Sequence, residues 1–233
     1  MRRTPATATE RRRSRLPTTS QRNPLTPPTT EPERSVEIEH TYDVDAETAV
    51  PDWCALAGVA TVEGPERRSL DAHYIDTPDA GLARRGVAIR RRTGGPDAGW
   101  HLKGPLVDDA RVELRWPLGS ADTIPDAIRE TAAEWARGDL VPLARVRNER
   151  DAYTLRDADG GVIAEFVDDH VVADDLREGA QRAWREWEFE LGPAAPAEKE
   201  QRAALFAAAR DIAYAHGARP AASASKLARA LGQ

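Results

Sequence analysis

The sequence predicts an α+β fold in which antiparallel β-strands form a barrel with a charged interior and helices pack on the outside. Short segments along the chain alternate charged and apolar residues with a period of two, as a strand with two unlike faces requires. The polar face of these segments is almost wholly ionic, whereas the other face carries large residues such as Trp187 and Phe189. A barrel with a charged lumen and an apolar exterior under helices satisfies both faces.

The alternation is clearest in Val36-Glu37-Ile38-Glu39 and in Glu186 to Leu191, near the two ends of the domain. Four similar segments lie between them: Ile89 to Arg92, Trp100 to Lys103, Arg111 to Leu114 and Arg145 to Arg147. In an ordinary sandwich such a polar face simply meets water, and that is the default interpretation. Six ionic strands favour an enclosed lumen instead, where carboxylates and guanidinium groups bind a metal ion and a polyanion together.

Turn signals divide the chain into strands and helices in a definite order. The predicted strands are Val36–Asp43, Arg67–Tyr74, Val87–Arg92, Trp100–Lys103, Ala110–Pro117, Leu143–Leu155, Val162–Val172 and Arg182–Leu191. Helical stretches are predicted from Asp45 onward, at Ala80–Arg84 before Gly86, and over Ile124–Trp135, Glu198–His216 and Ser223–Leu231, with Ser223 as the last N-cap.

Charge is distributed unevenly along the 233 residues, whose net charge is −6. Residues 1–34 contain eight arginines and three glutamates, a charge of +5, and almost no large apolar side chains. We therefore predict a disordered basic tail over 1–34 and a single domain over 35–233. The domain holds 25 basic and 36 acidic residues, a charge of −11, so nucleic-acid binding is expected only through the tail.

Cysteine usage and hydropathy favour a cytoplasmic protein. Cys54 is the only cysteine, which excludes an intramolecular disulfide and a thiolate metal cluster and fits a reducing compartment. The chain has no apolar run near the roughly 20 residues that a membrane span needs.

Several short motifs in a fixed order resemble those of the CYTH family, whose members are also called triphosphate tunnel metalloenzymes. The resemblance covers roughly residues 35–231. Its motifs are Tyr74-Ile75-Asp76-Thr77-Pro78-Asp79 with Leu82, Gly86 and Arg90-Arg91-Arg92; Trp100 to Gly104; Arg111-Val112-Glu113; Arg145-Val146-Arg147 with Arg150; Ala164-Glu165 with Asp168-Asp169; Trp184 to Leu191; and Ser225-Lys226-Leu227.

The resemblance implies an eight-stranded antiparallel β-barrel that forms a tunnel. Family members hydrolyse inorganic triphosphate, longer polyphosphate, thiamine triphosphate or nucleoside triphosphates, and one branch cyclises ATP. Bacterial relatives are often followed by a helical CHAD module, which is not expected within these residues. The family opens with two glutamates and a lysine spaced two apart; Glu37 and Glu39 match, but Thr41 stands at the lysine position and His40 is expected to face the other side of the strand.

Carboxylates predict a site for a hard divalent ion, Mg²⁺ or Mn²⁺. Two carboxylates at i and i+2 on one strand lie about 6.5–7 Å apart, too far to hold an ion alone. Glu37 and Glu39, which are also the predicted catalytic pair, would therefore share an ion with carboxylates opposite. The complete predicted metal-binding set is Glu37, Glu39, Glu113, Asp168, Glu188 and Glu190.

Basic side chains of the same strands would bind the substrate through charge-assisted hydrogen bonds to phosphate. The predicted substrate-binding set is Arg90, Arg92, Lys103, Arg111, Arg147, Arg150 and Lys226, the last of which would close one end of the tunnel. Water would then attack the terminal phosphorus in line, a reaction that depends mostly on positioning and charge stabilisation.

Three functions agree with these features. The first is metal-dependent hydrolysis of inorganic triphosphate or of an organic triphosphate such as thiamine triphosphate. The second is a binding module that holds a triphosphate or polyphosphate without turnover, which Thr41 favours. The third is an adenylate cyclase, which is disfavoured because no feature of the sequence selects a base.

Overall fold

The first strand predicted from the sequence is divided in two, and this division organises the fold. In the computed structural model, which describes Met1 and residues 31–119 and 123–233, β1 spans Glu33–Glu37 and β2 spans Glu39–Val44, with Ile38 between them. β1 pairs with β6 and β2 pairs with β9, both antiparallel. One segment of chain therefore contributes to two distant parts of the sheet.

In the described part of the chain, ten strands form one antiparallel sheet in the order β1-β6-β5-β4-β3-β7-β8-β9-β2-β10. The further strands are β3 Thr61–Asp76, β4 Ala88–Thr93, β5 Gly99–Val107, β6 Ala110–Trp116, β7 Val141–Arg156, β8 Val162–Asp175, β9 Ala180–Leu191 and β10 Arg219–Pro220. Each of the eight predicted strands is present, and several are longer than predicted.

The α+β class and the antiparallel pairing are confirmed, but in the described residues the sheet has ten strands and is not closed by hydrogen bonds into the predicted eight-stranded barrel. Within the described residues the hydrogen-bonded order ends at β1 on one side and at β10 on the other. The reason is the division at Ile38: β1 follows β6 and β2 follows β9, so the two sides are joined along the backbone and no ladder closes the sheet. β1 also begins at Glu33, inside the segment predicted as a tail, and residues 2–30 of that tail lie outside the described residues.

Three helices accompany the sheet: α1 Asp126–Ala132, α2 Lys199–Ala215 and α3 Lys226–Ala230. They confirm three predicted helical stretches, although α1 and α3 are shorter than predicted. The N-cap of α3 is Ser225, whose Oγ accepts a hydrogen bond from the Ala228 amide at 3.1 Å, and not the predicted Ser223. The stretch predicted at Ala80–Arg84 is a 3₁₀ turn over Ala83–Arg85 that ends at Gly86 with φ of 72°.

The helix predicted from Asp45 onward is wrong. The segment contains only a 3₁₀ turn, Trp53–Ala55, within the described residues. Arg185 explains the difference, because its Nη1 donates to the carbonyl oxygens of Asp45, Ala46 and Thr48 at 3.0, 2.9 and 2.8 Å. A segment whose carbonyl groups are held by one guanidinium does not use them in helical hydrogen bonds.

The apolar face of β9 packs beneath α2. Trp187 and Phe189 are fully buried, and the ring of Phe206 on α2 meets Phe189 edge to face with centroids 6.0 Å apart. Burial of each such side chain stabilises the fold by roughly 1.5–3 kcal/mol. Because side chains alternate along a strand, this packing directs Glu186, Glu188 and Glu190 to the opposite face.

Among the described helices, none combines the length and the apolar character that crossing a membrane demands.

Candidate active site

The ionic faces of the strands surround a cavity of about 510 Å³. Among the described residues, nine acidic and nine basic side chains line it. The net charge of the lining therefore favours neither anions nor cations. What the cavity binds depends on where its acidic and basic side chains lie.

Most of the site residues predicted from the sequence come together in this cavity. Its lining includes Glu37, Glu39, Arg90, Arg92, Lys103, Arg111, Glu113, Arg150, Glu188, Glu190 and Lys226. These residues lie on seven strands and on α3, so only the folded sheet makes them neighbours.

The structure does not bring Arg147 and Asp168 to the cavity. Arg147 lies on the outer face of β7, where its Nη2 donates to Asp174 at 2.8 Å. The cavity is lined from β7 by Val146, Asn148 and Arg150. A regular strand places residues 147 and 150 on opposite faces, so assigning both to one lumen was inconsistent with the period of two.

Asp168 also faces away from the cavity, and it pairs there with Arg185. The Arg185 Nε and Nη2 donate to its two oxygens at 2.7 and 2.8 Å, and Trp187 Nε1 donates to Oδ1 at 3.2 Å. Its neighbour Asp169 is fully buried on the other face, beside Arg150 and Lys226. The adjacent aspartate in the sequence is thus the one that belongs to the charged interior.

Carboxylates crowd one wall of the cavity. Glu39 on β2 stands opposite Glu190 on β9 in the register of the two strands. Burial, with the charges of Glu37 and Glu39, raises the pKa of Glu190 to about 8. Burial also raises the pKa of Glu37 to about 7, although Lys103 Nζ lies 2.5 Å from its Oε2 and opposes the shift. This wall carries more negative charge than its basic neighbours neutralise.

Guanidinium groups crowd another wall. Burial, with the charges of Arg90 and Arg150, lowers the pKa of Arg92 to about 9, even though Arg92 also forms an ion pair with Asp97. The Arg90 side chain is only 13% exposed, and its Nη1 lies 3.4 Å from the hydroxyl oxygen of Tyr74 and its Nη2 lies 3.8 Å from Glu113. Burial opposes the charge of Arg90, but Tyr74, Glu113 and Glu37 outweigh it and hold its pKa above the ordinary value, so Arg92 is the arginine of this wall whose charge is left poorly compensated, which favours the binding of an anion there.

Glu113 lies between these two walls and is held by His101. The Nδ1 atom of His101 lies 2.9 Å from Glu113 Oε1, and Nε2 lies 3.0 Å from the Asp97 carbonyl oxygen. Burial lowers the pKa of His101 to about 4. Burial opposes ionisation of Glu113 too, but His101, Lys103 and Arg90 outweigh it and lower the pKa of this carboxyl. His101, which the sequence did not mark as a site residue, therefore orients Glu113.

A third group of charges lies where β8, β9 and α3 meet. Lys226 Nζ is 2.9 Å from Asp169 Oδ2, 2.5 Å from Glu186 Oε1 and 2.5 Å from Glu188 Oε1. Sequence reasoning missed Asp169 and Glu186 as members of the interior. The sequence did contain a signal for both residues. Glu186 is two residues before Glu188 on β9, and Asp169 is four residues after the cavity-lining Glu165 on β8, so each is expected on the inner face of its strand.

Thr41 lines the cavity and stands opposite Glu188 in the register of β2 and β9. It contributes a hydroxyl group where the family pattern has a lysine. His40 lies on the other side of the strand, as predicted, and its ring stacks on Phe206 with centroids 3.9 Å apart. His40 therefore does not replace the missing cation.

Comparison with known proteins identifies the family of the domain. The model of the CYTH domain family matches residues 35–226. Two relatives from Mycobacterium tuberculosis, the uncharacterized proteins MT2285 of strain CDC 1551 / Oshkosh and Rv2226 of strain H37Rv, are each 38% identical over 213 residues. The alignments cover 86% of this chain and 41% of each relative, so the chain spans less than half the length of these proteins.

One solved structure shares the fold at low sequence identity, and a second gives a slightly lower score. A candidate adenylate cyclase of Bacillus halodurans superimposes with a TM-score of 0.50 at 18% identity, covering 84% of this chain and 97% of the other. A candidate adenylyl cyclase from Hippeastrum, described as having a dominant triphosphatase activity, gives a TM-score of 0.49 at 17% identity over 84% of this chain and 95% of the other.

Proposed function

Because the chain belongs to the CYTH domain family, we propose that it is a metal-dependent phosphohydrolase acting on inorganic triphosphate or on an organic triphosphate such as thiamine triphosphate. One observation carries the proposal: the cavity holds excess charge of both signs on separate walls. The pKa of Glu190 is raised to about 8 on one wall, and the pKa of Arg92 is lowered to about 9 on the other. A polyanion bound together with a divalent cation neutralises both walls at once.

The crowded carboxylates of Glu37, Glu39 and Glu190 fit a hard divalent ion. Among the described residues, no hydrogen bond or ion pair reaches the carboxylate of Glu39 or of Glu190, so their oxygens face the cavity without a donor. Oxygen ligands alone, with no histidine or cysteine among them, suit Mg²⁺ or Mn²⁺. When bound, such an ion supplies charge neutralisation at the phosphate oxygens and orients a water molecule.

Arginines provide the anion-binding side. Arg90, Arg92 and Arg111 face the cavity, and an inorganic triphosphate carries roughly four negative charges to which such groups donate charge-assisted hydrogen bonds. Their burial increases the strength of each interaction, because the surroundings are less polar than water. The arginines therefore fix the phosphate chain and stabilise the charge that develops on it as the terminal phosphorus is attacked.

The residues of the chain act mainly by positioning. Glu37 and Glu39 enter the cavity from the point where β1 passes into β2, and Arg90 and Arg92 enter it from β4. Both pairs stand on strands, which hold their side chains in a fixed geometry with little freedom. Such preorganisation lowers the barrier of an in-line displacement without a covalent intermediate on the protein.

A binding module without turnover is the second candidate, and the observation that favours it is Thr41 opposite Glu188. A hydroxyl group there offers no positive charge to a phosphate. In this alternative the cavity binds tripolyphosphate without hydrolysing it, and the variant Thr41→Lys gains turnover.

A substrate panel with and without metal tests the proposal. Tripolyphosphate, longer polyphosphate, thiamine triphosphate and ATP are each incubated with the protein and Mg²⁺, Mn²⁺ or a chelator, and phosphate and cyclic AMP are measured. We expect phosphate release from a triphosphate only with metal, at least about 100-fold lower in Glu37→Gln and Glu39→Gln. Glu47→Gln, an exposed carboxylate outside the cavity, is the matched control.

Binding of tripolyphosphate by calorimetry without phosphate release selects the binding module, and cyclic AMP from ATP selects a cyclase. Either outcome overturns the proposed hydrolysis.

A further inference from the structure

Asp169, Glu186 and Glu188 form an acidic trio beside the cavity, in which one carboxylate oxygen from each residue lies within 4.8 Å of the others. Such a group has the composition of a divalent cation site. Asp169 and Glu186 are paired in register on β8 and β9, and Glu188 follows on the same face of β9.

Every carboxylate oxygen of the trio already accepts a hydrogen bond from a donor group of the protein. Lys226 Nζ contacts one oxygen of each member, at 2.9 Å from Asp169 and 2.5 Å from both glutamates. The remaining oxygens accept from two other groups. Arg150 Nε lies 2.7 Å from Asp169 Oδ1, Arg150 Nη2 lies 2.7 Å from Glu188 Oε2, and Trp184 Nε1 lies 2.6 Å from Glu186 Oε2.

Charges in this region are also close to balance. Three cations oppose the three carboxylates in a site that is almost closed to solvent, with Asp169 fully buried: Lys226, Arg150 and, 3.9 Å from Glu186 Oε2, the Nη1 atom of Arg229. Burial disfavours the ammonium form of Lys226, but Asp169, Glu186 and Glu188 outweigh it and hold its pKa well above the ordinary value. On the wall formed by Glu37, Glu39 and Glu190, Lys103 contacts Glu37, and Arg111 stands opposite Glu37 in the register of β1 and β6. None of the ion pairs among the described residues includes Glu39 or Glu190.

We propose that Lys226 is the resident cation of the acidic trio, so that the trio takes no divalent ion and the protein binds a single divalent ion, at Glu37, Glu39 and Glu190. This inference rests on the proposed function, because it specifies the number and place of the metal ions. Lys226 then acts as a residue that determines metal stoichiometry, and Glu188 is an ion-pair partner of Lys226 and Arg150 instead of a metal ligand.

Removal of the ammonium group changes the stoichiometry. Without Lys226 the trio keeps three carboxylates against Arg150 and the more distant Arg229, which also pairs with Asp43, and the space between the oxygens is left to an external cation. The full chain is titrated with Mn²⁺ in the absence of phosphate, and free Mn²⁺ is measured by electron paramagnetic resonance. We expect one Mn²⁺ per chain in the wild type and two in Lys226→Met, with Lys199→Met, which removes an exposed lysine, still binding one.

Two variants that retain Lys226 test the same assignment if Lys226→Met does not fold by circular dichroism. Glu188→Gln is expected to change the Mn²⁺ dissociation constant less than twofold, whereas Glu190→Gln is expected to raise it at least tenfold. Two ions in the wild type, one ion in folded Lys226→Met, or a tenfold loss in Glu188→Gln overturns the inference.

The results also separate this inference from the proposed function. A wild type that binds two Mn²⁺ and hydrolyses triphosphate contradicts only the role of Lys226. A wild type that binds no Mn²⁺ and releases no phosphate contradicts both.

Discussion

Glu39 on β2 and Glu190 on β9 stand directly opposite each other across neighbouring antiparallel strands. Like charges in that position destabilise a sheet. Here the cost is increased by burial, which raises the pKa of Glu190 to about 8. A bound cation would supply the missing positive charge, and this pair is therefore the feature of the cavity on which the proposed metal dependence rests.

Glu190→Gln is expected to stabilise the metal-free protein. With its pKa at about 8, Glu190 is largely protonated in the metal-free fold at neutral pH but ionised in the unfolded chain, so folding requires the uptake of a proton that glutamine does not need. We therefore expect the free energy of unfolding at neutral pH to rise by roughly 1–3 kcal/mol, since one unit of pKa shift corresponds to about 1.4 kcal/mol. The measurement is urea unfolding in the presence of a chelator. Addition of Mg²⁺ should stabilise the wild type but not the variant; equal stabilisation of both would contradict the assigned metal position.

Comparison of Arg92→Met with Arg147→Met tests whether the substrate binds in the cavity and not on the outer surface of the sheet. Arg92 lies within the cavity, whereas Arg147 pairs outside it with Asp174. Loss of one charge-assisted interaction costs about 1.5–3 kcal/mol, so Arg92→Met should weaken tripolyphosphate binding roughly 10- to 100-fold. Arg147→Met should change it less than about twofold. Calorimetric titration measures both constants, and a similar loss in the two variants would refute the division of faces along β7.

Asp168→Asn is expected to lower stability and leave metal binding intact. The substitution removes the charge that faces Arg185 in a buried pair, which costs roughly 3–5 kcal/mol. Asp174→Asn, at the more exposed pair with Arg147, should cost no more than about 1 kcal/mol. Denaturant unfolding gives the two free energies. A weakened Mn²⁺ affinity in Asp168→Asn would restore this residue to the set of metal ligands.

Phe206→Ala tests how α2 supports the wall that carries Glu188 and Glu190. The Phe206 ring packs on Phe189 and stacks on His40, so its removal should cost roughly 3–5 kcal/mol of unfolding free energy. Turnover well below the melting temperature should remain within a few fold of the wild type. Tyr214→Ala, at a partly exposed position of α2, is the control with a smaller expected loss. A collapse of activity in folded Phe206→Ala would mean that α2 also positions the site.

Strand positions and the separation of charged from apolar faces were predictable, because a period of two is a local property of the chain. This is why Trp187 and Phe189 were correctly predicted under the helices and Glu188 and Glu190 in the interior. The same rule, applied strictly, shows that Arg147 and Arg150 cannot both face the interior. The prediction that Asp168 is a metal ligand was wrong for the same reason, since only one of two adjacent aspartates on a strand points inward.

The partners of the charged residues were not predictable. Lys226 is 38 residues from Glu188 in the sequence, and their contact depends on the return of the chain after α2 to the end of β9. The division of the first strand at Ile38 likewise depends on which distant strands its two halves meet. Nor does any local pattern determine whether a carboxylate is neutralised, because that depends on burial and on groups from other strands.

The sequence by itself therefore determined that the chain is a predominantly antiparallel structure with one ionic and one apolar face, since alternation follows from the geometry of a single strand. Only the tertiary structure decided which carboxylates are neutralised by Lys226 and Arg150 and which, like Glu39 and Glu190, are left facing each other. The physical reason is that the electrostatic energy of a buried charge depends on distances between groups brought together from remote parts of the chain.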